Sequence, residues 1–394
     1  MAFPRPRYDI ADIVRLHRVA LETSHRLSRP QKRVLTAISR YRTAALGGHL
    51  TLDLCQRMRW QREVCACGYE RPAYNSCRNR HCPKCQAVAQ EKWIAARAER
   101  ILPVRHFHLV FTPPSELRPL ARRHPTEVYT ALFRSASELL LELGRTRLNA
   151  AMGLTMVLHT CRKTSGNACV ARGTRELHFH PHVHVLATAG GLSLDGRRFV
   201  QVRKDFLFPV KVMGQLLRGK MLDALRKLRQ KGAFPELTQT AFNRLMASLA
   251  AHRSWVVYSK APFRRSRHVL SYLGRYTHRV GIANSRLLDV GPGHVTFRTR
   301  GNQTATLRPV EFLRRFTLHV LPDGFHKIRH AGLYASAQPG GLLEQAKALL
   351  PPKATTPVPE ALIEVPRACP HCGSFLQRLP LTAQQSRAPP LIAV

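Results

Sequence analysis

Apolar residues recur at helical spacing near the start of the chain, where Ile10, Ile13, Val14 and Val19 are separated by Arg and His, and this predicts a short basic helical lead-in. Between Cys65 and Cys85 the periodicity stops. Cys, Arg, Asn and Pro replace large apolar groups there, and such a stretch needs an added cross-link to hold a shape. After a helix around Trp93, the run HFHLVFTPP (His106 to Pro114) reads as a buried strand ended by two prolines. Helical spacing returns from Glu127 to Leu143, with Thr126 as candidate N-cap and Gly144 as candidate C-cap, followed by the strand-like LTMVLHT from Leu154. A histidine-rich strand comes next. Residues 211 to 231 then form a basic amphipathic helix, with Leu217, Met221, Leu225 and Leu228 on one side. WVVYSK (Trp255 to Lys260) and HVTFRTR (His294 to Arg300) read as strands on either side of a helix with two tyrosines. Strands and helices alternate irregularly, which predicts an α+β fold with a central sheet flanked by helices instead of a doubly wound one. From about residue 336 the chain is dense in Pro, Gly, Ala and Gln, the composition of a weakly ordered tail, broken only by CPHCG. The expected units are therefore 1–100, 101–335 and 336–394.

A length of 394 residues fits two or three such units. Charge narrows the partner. Lys and Arg number 63 against 23 Asp and Glu, a formal charge of +40, and an excess of that size repels itself unless a polyanion balances it. Nucleic acid is the natural counterpart. A membrane surface would attract the same charge, but no apolar stretch approaches the length of a span and MAFPRPRYDI lacks a signal-peptide pattern, so a cytoplasmic protein is expected. Ten cysteines in such a chain are metal ligands or small buried groups more often than disulfides. Cys55, Cys161 and Cys169 have no partner at ligand spacing and read as core or loop residues.

In ELHFHPHVHVLATAGG the residues His178, His180, His182 and His184 alternate, and a strand places alternating side chains on one face. Two neighbouring imidazoles on one face can grip one divalent ion. His182 and His184 are the favoured pair, because the apolar VLATAGG that follows marks a central strand, whereas Pro181 marks the earlier part as an edge or entry. His106-Phe107-His108 and His178-Phe179-His180 carry the same tripeptide, so coincidence stays open on the motif alone.

In YLGRYTHRVGIANSRLL, Tyr272 and Tyr276 share one helix face and are accompanied by Arg275, His278 and Arg279. A phenol with a pKa near ~10 attacks phosphorus only where cations stabilise charge on the phosphate and on the forming phenolate. The arginines and a strand-borne metal would meet that need, and the product would be a phosphotyrosine on the 5' end of a cut strand, which a 3' hydroxyl can reverse without ATP. The alternative is an aromatic pair packing the helix on the sheet; Gly274 between the tyrosines favours a site.

In VCACGYERPAYNSCRNRHCPKCQ, Cys82 and Cys85 form a C-x2-C knuckle, and Cys65, Cys67 and Cys77 offer further thiolates, with His81 beside them. This predicts structural zinc without settling which four groups bind it. Arg78 and Arg80, interleaved with Tyr69 and Tyr74, suit phosphate contact and base stacking, though a purely structural module explains them almost as well. Cys369 and Cys372 are half a site that needs another segment or chain to complete it.

The strings YNSCRNRHCPKCQ, HPHVHVLATAGGLS, WVVYSKAPF, VLSYLGRYTHRVGIANSRLL and FLRRFTLHVLPDGFHKIRHAGLYA, in that order between about residues 35 and 335, resemble the bacterial rolling-circle transposases of the insertion sequence ninety-one type. The resemblance implies a zinc-binding domain followed by a nuclease of the HUH endonuclease superfamily, with metal-binding histidines on the central strand of an antiparallel sheet. It assigns His182 and His184 to a Mg or Mn ion and Tyr272 and Tyr276 to the nucleophile with Tyr272 indispensable; Arg275 and Arg279, on the same helix, are read beside it as phosphate contacts. It makes His106-Phe107-His108 a decoy on the neighbouring strand, and leaves the third metal ligand unplaced, with His278 as candidate. The implied partner is DNA, chiefly single-stranded element ends and target, in the bacterial cytoplasm beside the nucleoid. Compared with that family, the first cysteine pair is spaced C-x-C and Cys161 to Gly173 looks inserted. A plasmid relaxase or replication initiator would share the chemistry; a non-catalytic zinc-dependent nucleic-acid-binding protein would share only the charge and cysteines.

Overall fold

Side chains of Asp9 and Ser28 start the first two helices. Asp9 accepts from the Ala11 N–H at the head of α1 (Ile10–Ser24), and Ser28 forms a reciprocal capping box with Gln31 at the head of α2 (Arg29–Ser39). The computed structural model of the chain describes residues 8–46, 50–52, 58–72, 74–85, 93–161, 177–263, 282–299, 303–335, 340–351, 369 and 371–380. Three short strands follow α2: β1 (Leu50–Leu52), β2 (Met58–Val64) and β3 (Glu70–Pro72), with β1 and β3 antiparallel to β2.

The main sheet begins at β4 (His106–Thr112), and α3 (Arg118–Arg123) and α4 (Pro125–Leu148) lead to β5 (Ala150–Cys161). The long histidine strand β6 (Phe179–Ser193) and the short β7 (Phe199–Gln201) come next, then α5 (Val210–Gln230), α6 (Gln239–Ala251) and β8 (Val256–Phe263). A small antiparallel sheet of β9 (Leu287–Val290), β10 (Val295–Arg298) and β11 (Thr304–Leu307) precedes α7 (Pro309–Thr317) and β12 (Ile328–Gly332). The described residues end with α8 (Leu342–Ala348) and β13 (Gln377–Pro380). The fold is α+β, as the sequence predicts.

The main sheet runs β12-β5-β6-β4-β8, with β7 added to β6, and every pairing is antiparallel. β6 is therefore central. Its odd-numbered residues Val183, Val185 and Ala187 join Phe107, Leu109 and Phe111 of β4 in the largest core, against α4, α5 and α6. Its even-numbered residues face the other way, where, among the described residues, Leu186 and Val157 pack with Ile101, Trp93 and Ile94. Gly190 and Gly191 allow β6 to carry β5 and β7 at once. Gly190 has φ +125°, and a Cβ there would lie 1.8 Å from the Val200 carbonyl oxygen, while one on Gly191 would lie 2.1 Å from that of Ala151.

Some local expectations change. The fourth helix starts with Pro125 in its first turn and runs past Gly144 to Asn149, which takes a left-handed φ of 50°. Gly144 instead gives Met152 room to approach, since a Cβ would sit 2.8 Å from its sulfur. Val19, one of the apolar positions of the predicted lead-in, is exposed. Ile10, Ile13, Val14, Leu35 and Ile38 share one buried cluster with Phe297, Phe312 and Phe316, which lie some three hundred residues along the chain. The segment expected to be a weakly ordered tail contains α8 and β13, and β13 pairs with β2.

Candidate metal centre

The register of the central strands assembles the site. His182 lies opposite His159 of β5, and because cross-strand partners share a face, His159, His182 and His184 point to one side. One ring nitrogen from each lies within 4.8 Å of the others, and all three residues are buried. The Nε2 atoms of His182 and His184 are 3.1 Å apart. A second contact fixes each ring. His182 Nδ1 donates to the His180 carbonyl at 2.7 Å, and His184 Nδ1 lies 2.8 Å from His108 Nε2. We assign the Nδ1-protonated tautomer to both on these contacts. Two Nε2 lone pairs then face one another, an arrangement that a shared cation stabilises. Adjacent ligands about 2.1 Å from a six-coordinate ion lie about 3 Å apart, so the spacing fits a metal.

The three-histidine group contains one residue the sequence reading missed. His159 is the penultimate residue of LTMVLHT and carries no motif of its own; only the β5–β6 register brings it to His182. The decoy tripeptide divides its labour. His106 is a satisfied core histidine between the Val104 carbonyl and the Tyr334 hydroxyl, at 2.8 and 2.9 Å, whereas His108 supports His184. His180 takes a contact from the Arg118 guanidinium at 2.9 Å. Along β8, Lys260 and Tyr258 oppose His108 and Val110, so an exposed cation and an exposed phenol lie on the same face as the imidazoles. Tyr272, Tyr276, Arg275, Arg279 and His278 lie outside the described residues, in the segment that begins where β8 ends.

The five cysteines read as one zinc module fall into two groups. Cys77, Cys82 and Cys85 form a partly buried trio, with Cys77 and Cys85 sulfurs 3.5 Å apart. Hydrogen bonding to Cys77 and Cys85, with burial, pushes the Cys82 thiol well up, while hydrogen bonds from Cys77 and Cys82 pull Cys85 down to about 3. Packed thiols of this kind cannot all ionise without a central cation. His81 stands apart from that trio: its Nε2 accepts from the Leu321 N–H at 3.1 Å and its Nδ1 faces Asn79 Oδ1 at 3.2 Å, so both nitrogens are engaged. Cys65 and Cys67 instead meet Cys369 and Cys372. Arg80 donates to the carbonyls of Phe325 and Pro322, at 2.6 and 2.7 Å, tying the cysteine segment to the loop between α7 and β12, whereas Arg78 is exposed in a left-handed turn at φ 47°.

Comparison with known proteins places this architecture. A family profile described as "Transposase zinc-binding domain" matches residues 13–113, and one described as "Putative transposase" matches residues 168–340. A protein of Sinorhizobium fredii named "Putative transposase y4qJ" is 38% identical over 358 residues, which cover 87% of this chain and 84% of the relative. The chain belongs to the transposase family of the insertion sequence ninety-one type. "Transposase for insertion sequence element IS801" from Pseudomonas savastanoi pv. phaseolicola is 29% identical over 306 residues, covering 75% of this chain and 69% of the relative. No solved structure gives a significant match. Within this transposase the zinc-binding profile spans Cys65 to Cys85, and the second profile spans His182, His184 and the tyrosine segment; His159 and the Cys369–Cys372 pair fall in neither. No helix among the described residues is long and apolar enough to cross a membrane.

Proposed function

We propose that this transposase nicks and rejoins single-stranded DNA through a 5'-phosphotyrosine, moving its element by a rolling-circle route. The observation that carries the reading is the buried group of His159, His182 and His184 on the central strands, with its two tautomers fixed from behind. His159 takes the place of third ligand. Three neutral imidazoles suit Mn or another first-row ion better than Mg, which prefers oxygen. Such an ion, when bound, supplies Lewis-acid polarisation of a phosphodiester. Tyr272 is the attacking phenol and Tyr276 its partner for a second strand, with Arg275 and Arg279 neutralising phosphate charge. The excess of 63 basic over 23 acidic residues draws DNA to the chain, and binding weakens steeply with salt as counterions are released. The proposed setting is the cytoplasm, beside the nucleoid.

The test is a labelled single-stranded element end incubated with the full chain and Mn. A covalent protein–DNA adduct forms with wild type, falls at least ~10³-fold in the His182→Ala, His184→Ala double variant, and is absent from Tyr272→Phe with Tyr276→Phe. An adduct undiminished by the tyrosine changes, or none from wild type, sinks the reading.

A further inference from the structure

Cys369 and Cys372 stand far from any other cysteine in the sequence, yet their sulfurs meet those of Cys65 and Cys67. The Cys65–Cys372 pair is 3.4 Å apart and the Cys67–Cys369 pair 3.6 Å, and all four sulfurs lie within 4.8 Å of one another. A tetrahedral zinc with thiolates at about 2.3 Å spaces its sulfurs about 3.8 Å apart. The four are free thiols, well beyond the length of a disulfide bond.

The two turns that present these sulfurs are built alike. In the first, the Cys65 N–H donates to the Tyr69 carbonyl and the Gly68 N–H to the Cys65 carbonyl, at 2.8 and 3.0 Å. In the second, the Cys369 N–H donates to the Ser374 carbonyl and the Gly373 N–H to the Cys369 carbonyl, at 2.6 and 3.0 Å. Each turn places a glycine directly after its second cysteine, with left-handed φ of 85° at Gly68 and 79° at Gly373. The His371 N–H also points at the Cys369 sulfur, 3.4 Å away, a contact that suits a thiolate. Strand pairing locks the halves together. β13 lies antiparallel to β2, with Gln377 opposite Val64 and Pro380 opposite Gln61, and Leu376 is buried with Cys65 and Cys369. The Tyr69 and His371 rings, one from each turn, lie 5.1 Å apart.

We propose that Cys65, Cys67, Cys369 and Cys372 bind one structural zinc ion, making a two-knuckle ribbon whose second knuckle comes from the C-terminal segment. The C-x-C spacing of the first pair then has a reason, since it forms one knuckle by itself and leaves the other to the distant C-x2-C. The ion pins residues 369–380 onto the zinc-binding domain, and this site is separate from the Cys77, Cys82 and Cys85 trio.

The experiment measures zinc per chain by elemental analysis in full-length protein purified with reductant. Cys369→Ser with Cys372→Ser lowers the content by one zinc, Cys65→Ser with Cys67→Ser does the same, and all four changes together lower it no further. Unchanged zinc in the Cys369, Cys372 variant, an additive loss in the quadruple variant, or disulfides among these four cysteines in wild type would overturn the proposal. A second measurement avoids the folding of variants. With a protease site placed between 355 and 365 in the otherwise wild-type chain, the cleaved C-terminal fragment stays bound in zinc and leaves on chelation; a fragment that leaves with zinc present, or stays after chelation, overturns it.

Discussion

The histidine group and the four-cysteine group both gather metal-binding atoms, and they do so by opposite means. Two of the three histidines are neighbours on one strand and the third is their cross-strand partner, so a single antiparallel register makes the site. The cysteines come from turns some three hundred residues apart, held by a short pairing of β13 on β2. The first site is thus as stable as the sheet that carries it. The second can come apart while the sheet stays folded, because it sits outside the main core and owes its closure to few residues. The sharpest way to break this contrast is at Gly190. Its φ of +125° is costly for any other residue, and a Cβ would run into the Val200 backbone. Gly190→Ala is expected to cost about 3 kcal/mol or more and to lower the midpoint of denaturant unfolding, taking Mn binding with it. Cys369→Ser with Cys372→Ser is expected to leave both the unfolding of the main sheet and Mn binding as in wild type. Equal loss of Mn binding in the two variants would erase the distinction.

A second, smaller effect comes from acid. His319 is buried between the Thr160 hydroxyl and the Leu177 carbonyl, each 3.1 Å from a ring nitrogen, so it ties the end of β5 to the entry of β6. Burial holds its pKa down at about 4, against 6.5 for the free side chain. The unfolded chain therefore binds the proton more tightly than the folded one. The stability this group contributes is complete above about pH 6.5 and is lost as the pH falls toward 4. Between pH 7 and pH 5 the loss at this one site is about 2 kcal/mol. Chemical denaturation at the two pH values should show a fall that is smaller by that amount in His319→Gln; identical falls in variant and wild type would remove His319 from the account.

What the sequence disclosed follows the same division. His182 and His184 were legible because strand alternation is local, and β6 was recognisable as central from its unbroken apolar run. His159 was not, since nothing in LTMVLHT marks its last histidine until the register with β6 is known. The cysteines failed in the same way at greater range. Cys65 and Cys67 lie close to Cys77, Cys82 and Cys85 in sequence, and proximity suggested one site. The chain instead joins them to a pair that looked isolated in a Pro-rich and Gly-rich tail. Composition also gave no hint of β13, because a knuckle that a metal would staple needs almost no apolar core. Arg80 looked like a phosphate contact by its company, but the carbonyls it holds lie beyond residue 320, where no local pattern reaches.

The most local expected effect concerns the residue dismissed as a decoy. His108 faces His184 Nδ1 from the neighbouring strand, 2.8 Å away, and so sets which nitrogen of His184 would turn toward a bound ion. Removing a partner of this kind typically costs ~10 to 100-fold in metal affinity. His108→Phe should weaken Mn binding by that factor in calorimetric titration, whereas His108→Gln, whose side-chain carbonyl can still accept from His184, should recover most of it. A purely structural role would make both variants fall in thermal stability without separating them in Mn affinity. His106→Gln serves as the control, since the original residue's ring nitrogens meet the Val104 carbonyl and the Tyr334 hydroxyl. If His106→Gln weakened Mn binding as much as His108→Phe, the sheet as a whole and not one hydrogen bond would be setting the ligand, and the local character of the histidine site would have to be given up.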